Sequence, residues 1–206
     1  MSYIFIHGSG QKASSWKETV SYMKTIKNIS CPNLFTLLNG KEAKYNNLYA
    51  SFIEYCNSNN DQINLCGLSL GGILALNYAV DFPNKIASLV LIGTPYKIPK
   101  IMFGIQNIIF RFLPKSMFDN TEFNKKDTFV LGNSMKNLDF STKLQNITCS
   151  TLVICGKKDR MNIKSAYYLT EKINNAKIKI IENTGHIINE ENPNELANEL
   201  EEYYNR

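Results

Sequence analysis

One serine in this chain sits where a serine hydroxyl can act as a nucleophile. Gly67-Leu68-Ser69-Leu70-Gly71 follows a β-type run, Gln62-Ile63-Asn64-Leu65-Cys66, and opens an apolar stretch with helical spacing. A G-x-S-x-G pattern in that context puts the serine on a sharp strand-to-helix turn, with its Oγ projecting above the strand end. Gly71, Ala75 and Ala79 recur every four residues, a small-residue stripe that lets the helix lie close to its neighbours. The start of that helix points backbone N–H groups at the hydroxyl and favours negative charge there.

A serine hydroxyl is a weak nucleophile at neutral pH and needs a base, which in turn needs an orienting acid. The chain has only two histidines, His7 and His186. His186 lies in Thr184-Gly185-His186, just past an apolar β run, and the chain order serine, acid, histidine selects it as the base. The acid should come between them. Asp159 is the carboxylate in Gly156-Lys157-Lys158-Asp159-Arg160, a loop after another β run. Its cationic neighbours Lys157, Lys158 and Arg160 are expected to keep it ionised.

Acyl transfer through such a serine places a negative charge on the carbonyl oxygen, and N–H donors must already face it. The Leu70 amide, next after the serine, is one expected donor. The other is expected from His7-Gly8-Ser9-Gly10 after the first β run: the Ser9 amide, with Gly10 second. His7 then serves to orient that loop.

These residues need a frame. The β-type runs fall at 3–6, 33–38, 63–66, 86–92, 151–155 and 177–181, and helical spacing falls at 14–26, 48–56, 70–81, 163–173 and 192–204. Asn192-Pro193 is a helix start, asparagine as N-cap and proline in the first turn. Strands alternating with helices predict a mostly parallel sheet covered on both faces. The alternation fails over about 94–147, which is too long for a plain loop. This stretch is expected to be an insertion over one end of the sheet. Its apolar run 101–113, with Phe103, Phe110, Phe112 and Phe118, is a candidate acyl-pocket lining; Phe103 and Phe110 are its leading members. The insertion carries eight basic residues against four acidic ones, whereas the last helix is rich in glutamate.

Composition narrows the classes. The chain has 206 residues, 44% hydrophobic and 20% charged, the usage of one ordinary globular domain. The net charge of +5 is scattered rather than gathered in a basic stripe, so nucleic-acid binding is not expected. No apolar run approaches the ~18 residues of a membrane span, and the first ten residues do not read as a secretory leader. The five cysteines have no C-x-x-C spacing and read as small core residues in a reducing compartment, so a cytoplasmic location is expected. No metal cluster, phosphate loop or dinucleotide fingerprint is present, and no cofactor is expected.

The set HGSG, GLSLGG, GKKDR and TGHIINEENPNEL, in that order, resembles the α/β-hydrolase superfamily. Trp16 after the HG loop and Asp81-Phe82-Pro83-Asn84-Lys85-Ile86 after the serine helix fit the same pattern. The resemblance implies a single α/β-hydrolase domain over 1–206, with a helical lid at about 94–147. It implies a serine hydrolase with Ser69 as nucleophile, His186 as general base and Asp159 as orienting acid. Members often carry two further strands before the HG strand. Here that strand begins at residue 3, so six parallel strands in the order 2-1-3-4-5-6 are expected, from a small member or a truncated one. The expected substrate is a small-molecule carboxylic ester with a small or medium acyl group. A thioesterase, a C–C bond hydrolase or lyase with the same triad, and a non-catalytic binding protein of the same fold are the alternatives.

Overall fold

The computed structural model describes residues 2–59, 61–98 and 121–206. Six apolar segments pair into one sheet: β1 Ser2–Ile6, β2 Ile29–Ser30, β3 Ile63–Leu68, β4 Ile86–Ile92, β5 Ser150–Gly156 and β6 Ala176–Ile181. All pairings are parallel, in the order β2-β1-β3-β4-β5-β6. This is the order expected from the sequence. The register aligns Phe5, Cys66, Val90 and Leu152 in one row across four strands.

Side chains alternate between the two faces of a strand, so each strand feeds two cores. Ile4, Ile6, Leu65, Leu89, Leu91, Val153 and Cys155 belong to the larger core. That face is covered by α2 Leu34–Leu37, α3 Tyr45–Asn57, α4 Leu70–Asp81, α5 Lys125–Met135 and α6 Ile163–Lys172. Phe5, Cys66, Val90, Ile92, Leu152 and Ile154 belong to the smaller core. It is covered by α1 Lys17–Tyr22 and the C-terminal α8 Pro193–Tyr204, which follows the short α7 Ile188–Glu191. Trp16 is fully buried there, edge-on to Phe5 at 5.2 Å between ring centroids. Among the described residues no helix is long and apolar enough to cross a membrane.

Two expected elements differ. The segment 33–38 is a helical turn and not a strand; the second strand is the two-residue β2. The Asn33 side chain accepts from the Thr36 amide at 2.7 Å and caps the turn. Leu34 and Leu38, four apart, are buried while Phe35 is exposed, which is helical and not alternating burial. Asn39 and Gly40, both at positive φ, end it. The helix expected over 14–26 is a 3₁₀ turn, Ala13–Trp16, followed by α1, and it stops at Met23. The amides of Lys24, Thr25 and Ile26 turn instead to the Glu201 carboxylate on α8.

Of the stretch expected as an insertion, 121–147 is described and packs inward. Phe123, Leu131, Met135, Phe140, Leu144 and Ile147 are buried in the larger core. Asn124 caps α5 through the Asp127 amide, and Ser134 accepts from the Tyr45 amide at the start of α3. The run 101–113 and the residues Phe103, Phe110, Phe112 and Phe118 lie outside the described residues.

Candidate active site

The carboxyl ends of β1, β3, β4, β5 and β6 open on one edge of the sheet. The chain reverses its direction of growth between β1 and β3, where open parallel sheets leave a crevice. Ser69 sits at that point, between β3 and α4. Its backbone is at φ 54°, ψ −111°, a conformation an L-residue adopts only under constraint, costing about 1–3 kcal/mol. The surroundings impose it. The Ser69 amide donates to Ile92 O at 2.9 Å, and its carbonyl accepts from Ile73 in the first turn of α4. A Cβ on Gly71 would lie 2.2 Å from Ile6 O, so only glycine lets α4 start this close to the end of β1. The Leu70 amide belongs to the first turn, whose N–H groups have no intrahelical acceptor.

Asp159 and His186 are brought together. Asp159 is buried in the turn after β5, and its Oδ2 lies 2.6 Å from His186 Nδ1 on the loop after β6. Three residues on, Asn162 donates its side-chain amide to both carboxylate oxygens, at 3.0 and 2.9 Å, and its backbone amide to Oδ1 at 3.2 Å. Burial pushes the Asp159 carboxyl up, but the hydrogen bonds from His186 and Asn162 outweigh it and hold the group below its ordinary value. The flanking cations are not the cause expected of them: Lys157 pairs with Glu182, at 2.7 Å on the surface. Since Nδ1 faces a carboxylate it carries the proton. The Asn162 amide, 3.2 Å from Nδ1, therefore serves the carboxylate and not the ring.

The pair fits because Gly93, at the end of β4, has no side chain. Its φ is +50°, and a Cβ there would lie 3.0 Å from His186 Cε1 and Nδ1 and 3.3 Å from Asp159 Oδ2. Ser69 and His186 thus flank the same strand end, one bonded to Ile92, the other against Gly93. No hydrogen bond joins Ser69 Oγ to His186; the ring's bonds among the described residues are at Nδ1. The His186 loop is fixed by Glu191, whose carboxylate accepts from the Gly185 and Ile187 amides on either side of the histidine.

The turn after β1 lies on the other side. A Cβ on Gly8 would come within 3.5 Å of Ser69 Cβ. Gly8 O accepts from the Gln11 amide, closing a four-residue turn, and Gly8 N donates to the Gln11 side chain at 3.1 Å. The Gly8 amide is therefore occupied, and Ser9 and Gly10 supply the central amides of the turn. Gln11 is itself held by Asn189 and Glu190 from α7, at 2.8 and 2.9 Å. His7 is fully buried beneath the turn and contacts Glu122.

Asn162, Gln11, Asn189, Glu191, Glu122 and Gly93 were not singled out from the sequence. For Asn162 a signal exists: an asparagine three residues after a loop aspartate, just before a helix. For Gln11 and Glu122 no local pattern marks the partner. None of the five cysteines competes with Ser69 as a nucleophile. All are unpaired, and burial pushes Cys31 up to about 11 and Cys155 up to about 12, which leaves little thiolate at neutral pH.

A family model of the alpha/beta hydrolase fold matches residues 57–129. A monoacylglycerol lipase of Mus musculus is 21% identical over 95% of this chain and 73% of its own length. Two solved structures superpose over the whole chain. A thermophilic esterase from Thermogutta terrifontis, with malate bound, gives a TM-score of 0.81 at 17% identity and is covered to 89%. A hydrolase from Pseudomonas aeruginosa gives 0.82 at 16% and is covered to 90%. The matched segment, these whole-chain likenesses and the strand order together show that the chain has the α/β-hydrolase fold.

Proposed function

We propose that the protein is a serine hydrolase that cleaves a carboxylic ester of small or medium acyl chain through an acyl-Ser69 intermediate. The observation that carries this reading is the constrained Ser69 backbone at the β3–α4 turn, with a buried-carboxylate–imidazole pair at 2.6 Å on the neighbouring strand ends. Support comes also from the names of similar proteins, a lipase and an esterase among them.

In this reading His186 Nε2 takes the Ser69 Oγ proton as Oγ attacks the substrate carbonyl. Asp159 holds the Nδ1–H tautomer and stabilises the imidazolium that forms. The Leu70 and Ser9 amides receive the oxyanion. Collapse expels the alcohol, which takes its proton from His186. A water activated by the same imidazole then hydrolyses the acyl-Ser69 ester and frees the acid. The constrained Ser69 conformation keeps Oγ clear of its own helix, so little reorganisation precedes attack. The whole chain acts as one domain, with the stretch about 94–147 as its insertion. The substrate is a small molecule met in the cytoplasm.

A fluorophosphonate probe followed by peptide mapping tests the reading. A single adduct on Ser69, absent in His186→Ala, is expected. Ser69→Ala should lose about 10⁶-fold in kcat on the best ester of a chain-length panel that includes thioesters. A folded protein that takes no adduct, or a Ser69→Ala variant with full turnover, overturns it.

A further inference from the structure

The buried contact beneath the β1 turn sets a carboxylate against an imidazole. Glu122 lies three residues before α5, and its side chain is 5% exposed while that of His7 is 0%. Glu122 Oε2 is 2.9 Å from His7 Nε2, and Gly8 O is 2.8 Å from His7 Nδ1. Nδ1 faces an acceptor, whereas Nε2 lies against the carboxylate and accepts from the Leu34 amide at 3.3 Å. The rest of the Glu122 carboxylate is used as well: Oε1 accepts from the Ala13 amide at 2.9 Å, and the Phe35 amide also donates to the group. One side chain thus ties together the turn after β1, the segment after it and the start of α2. A buried carboxylate left without donors costs several kcal/mol, so the amides that meet Glu122 are not readily dispensable. Burial pushes the Glu122 carboxyl up, and the His7 contact with the two amides brings it below its ordinary value.

We propose that Glu122 is a positioning residue for the anion-binding turn. Its carboxylate packs against the His7 ring and ties the Ala13 and Phe35 amides around it, the ring holds the Gly8 carbonyl, and the Ser9 and Gly10 amides stay aimed at the carbonyl oxygen of an ester on Ser69. This rests on the serine-hydrolase reading. Gly8 O is the fixed point of the chain of contacts. It accepts from His7 on one side and from the Gln11 amide on the other, so its direction sets the plane of the peptides that follow. Glu122 touches no reacting atom and works through His7.

The test counts active sites by fluorophosphonate titration and measures kcat and KM per titrated serine on p-nitrophenyl acetate. Glu122→Gln keeps the shape and the acceptor for Ala13 but removes the charge. It should lower kcat about tenfold, a fraction of the loss from deleting an oxyanion donor, with KM within twofold. Glu122→Ala should lose at least as much; if it does not fold, Glu122→Gln decides alone. A merely structural glutamate would reduce the titrated fraction and leave kcat per site unchanged, and a kcat within twofold of wild type overturns the proposal. Amide NMR reads the turn without turnover. In Glu122→Gln the Ser9 and Gly10 resonances should move while Leu70 does not, and unmoved Ser9 and Gly10 signals overturn it equally. A wild type that takes no adduct on Ser69 refutes the hydrolase reading instead, and the amide shifts still report on Glu122.

Discussion

The two sides of Ser69 are built differently. On one side Asp159 and His186 stand on loops after adjacent strands, and the support of Asp159 is local: Asn162 is three residues away. On the other side the β1 turn is held from a distance, by Glu122 below and by Gln11 through Asn189 of α7. The first arrangement has one route to each contact. The second has two clamps on one turn. If Asp159 and His186 are the proposed proton-transfer pair, they tolerate no substitute, because the tautomer must be right. A pair of amide dipoles can lose one clamp and be held in part by the other. Damage should therefore be severe on the Asp159 side and graded on the turn side.

Asp159→Asn gives the largest contrast. An asparagine amide can present N–H to Nδ1 and favour the wrong tautomer, so kcat should fall about 10⁴-fold. The fluorophosphonate reaction should slow in parallel, while the unfolding midpoint falls only modestly because Asn162 and His186 remain as neighbours. If Asp159→Asn costs no more than the roughly tenfold expected of Glu122→Gln, the two sides are not distinct in kind.

The same difference decides what the sequence could reveal. Ser69, Asp159 and His186 stood out as candidates because each lies within a few residues of the end of an apolar β run, and strand 86–92 and helix 70–81 declare themselves by composition. The sheet order followed from the resemblance and from where the HG strand begins. The turn itself was legible, as HGSG, but its supports were not. Glu122 and Asn189 reach it only through the fold, and neither has a spacing that points to residue 7 or 11. The segment 33–38 misled for a related reason. Leu-Phe-Thr-Leu-Leu reads as a strand by apolar content alone, and only its flanks, Asn33 before and Asn39-Gly40 after, mark the helical turn. That turn delivers the Leu34 and Phe35 amides to the His7–Glu122 pair, so the misread element and the missed residue belong to one cluster.

Gly93→Ala sharpens the comparison at intermediate size. The new methyl would press on His186 and Asp159 without removing either, and the residue sits at φ +50°. Turnover should fall about 10- to 100-fold, the scale of a displacement near 1 Å, and stability by about 1–2 kcal/mol from the left-handed backbone. Imidazole NMR should report a changed His186 environment and an unchanged His7. Wild-type turnover in this variant would mean that the strand end does not fix the pair.

The smallest effect is in acid, and there the two sides should behave alike. Asp159 and Glu122 both have carboxyls held below their ordinary values in the folded protein. A carboxylate with a lowered folded pKa binds protons more readily when the chain is unfolded. Its contribution to stability is complete above the unfolded value, about 4, and is lost as pH falls through the lower folded value. Denaturant unfolding of the wild type should therefore show stability falling as pH drops from about 5 toward 3. Asp159→Asn and Glu122→Gln should each start less stable at pH 7 and lose less over the same interval, so the curves converge in acid. Two parallel curves would mean that the removed carboxylate was not the group that titrates. Convergence for Glu122→Gln alone would place the acid sensitivity in the clamp beneath the β1 turn, where the charge is fully enclosed, and not at the half-exposed His186 pair.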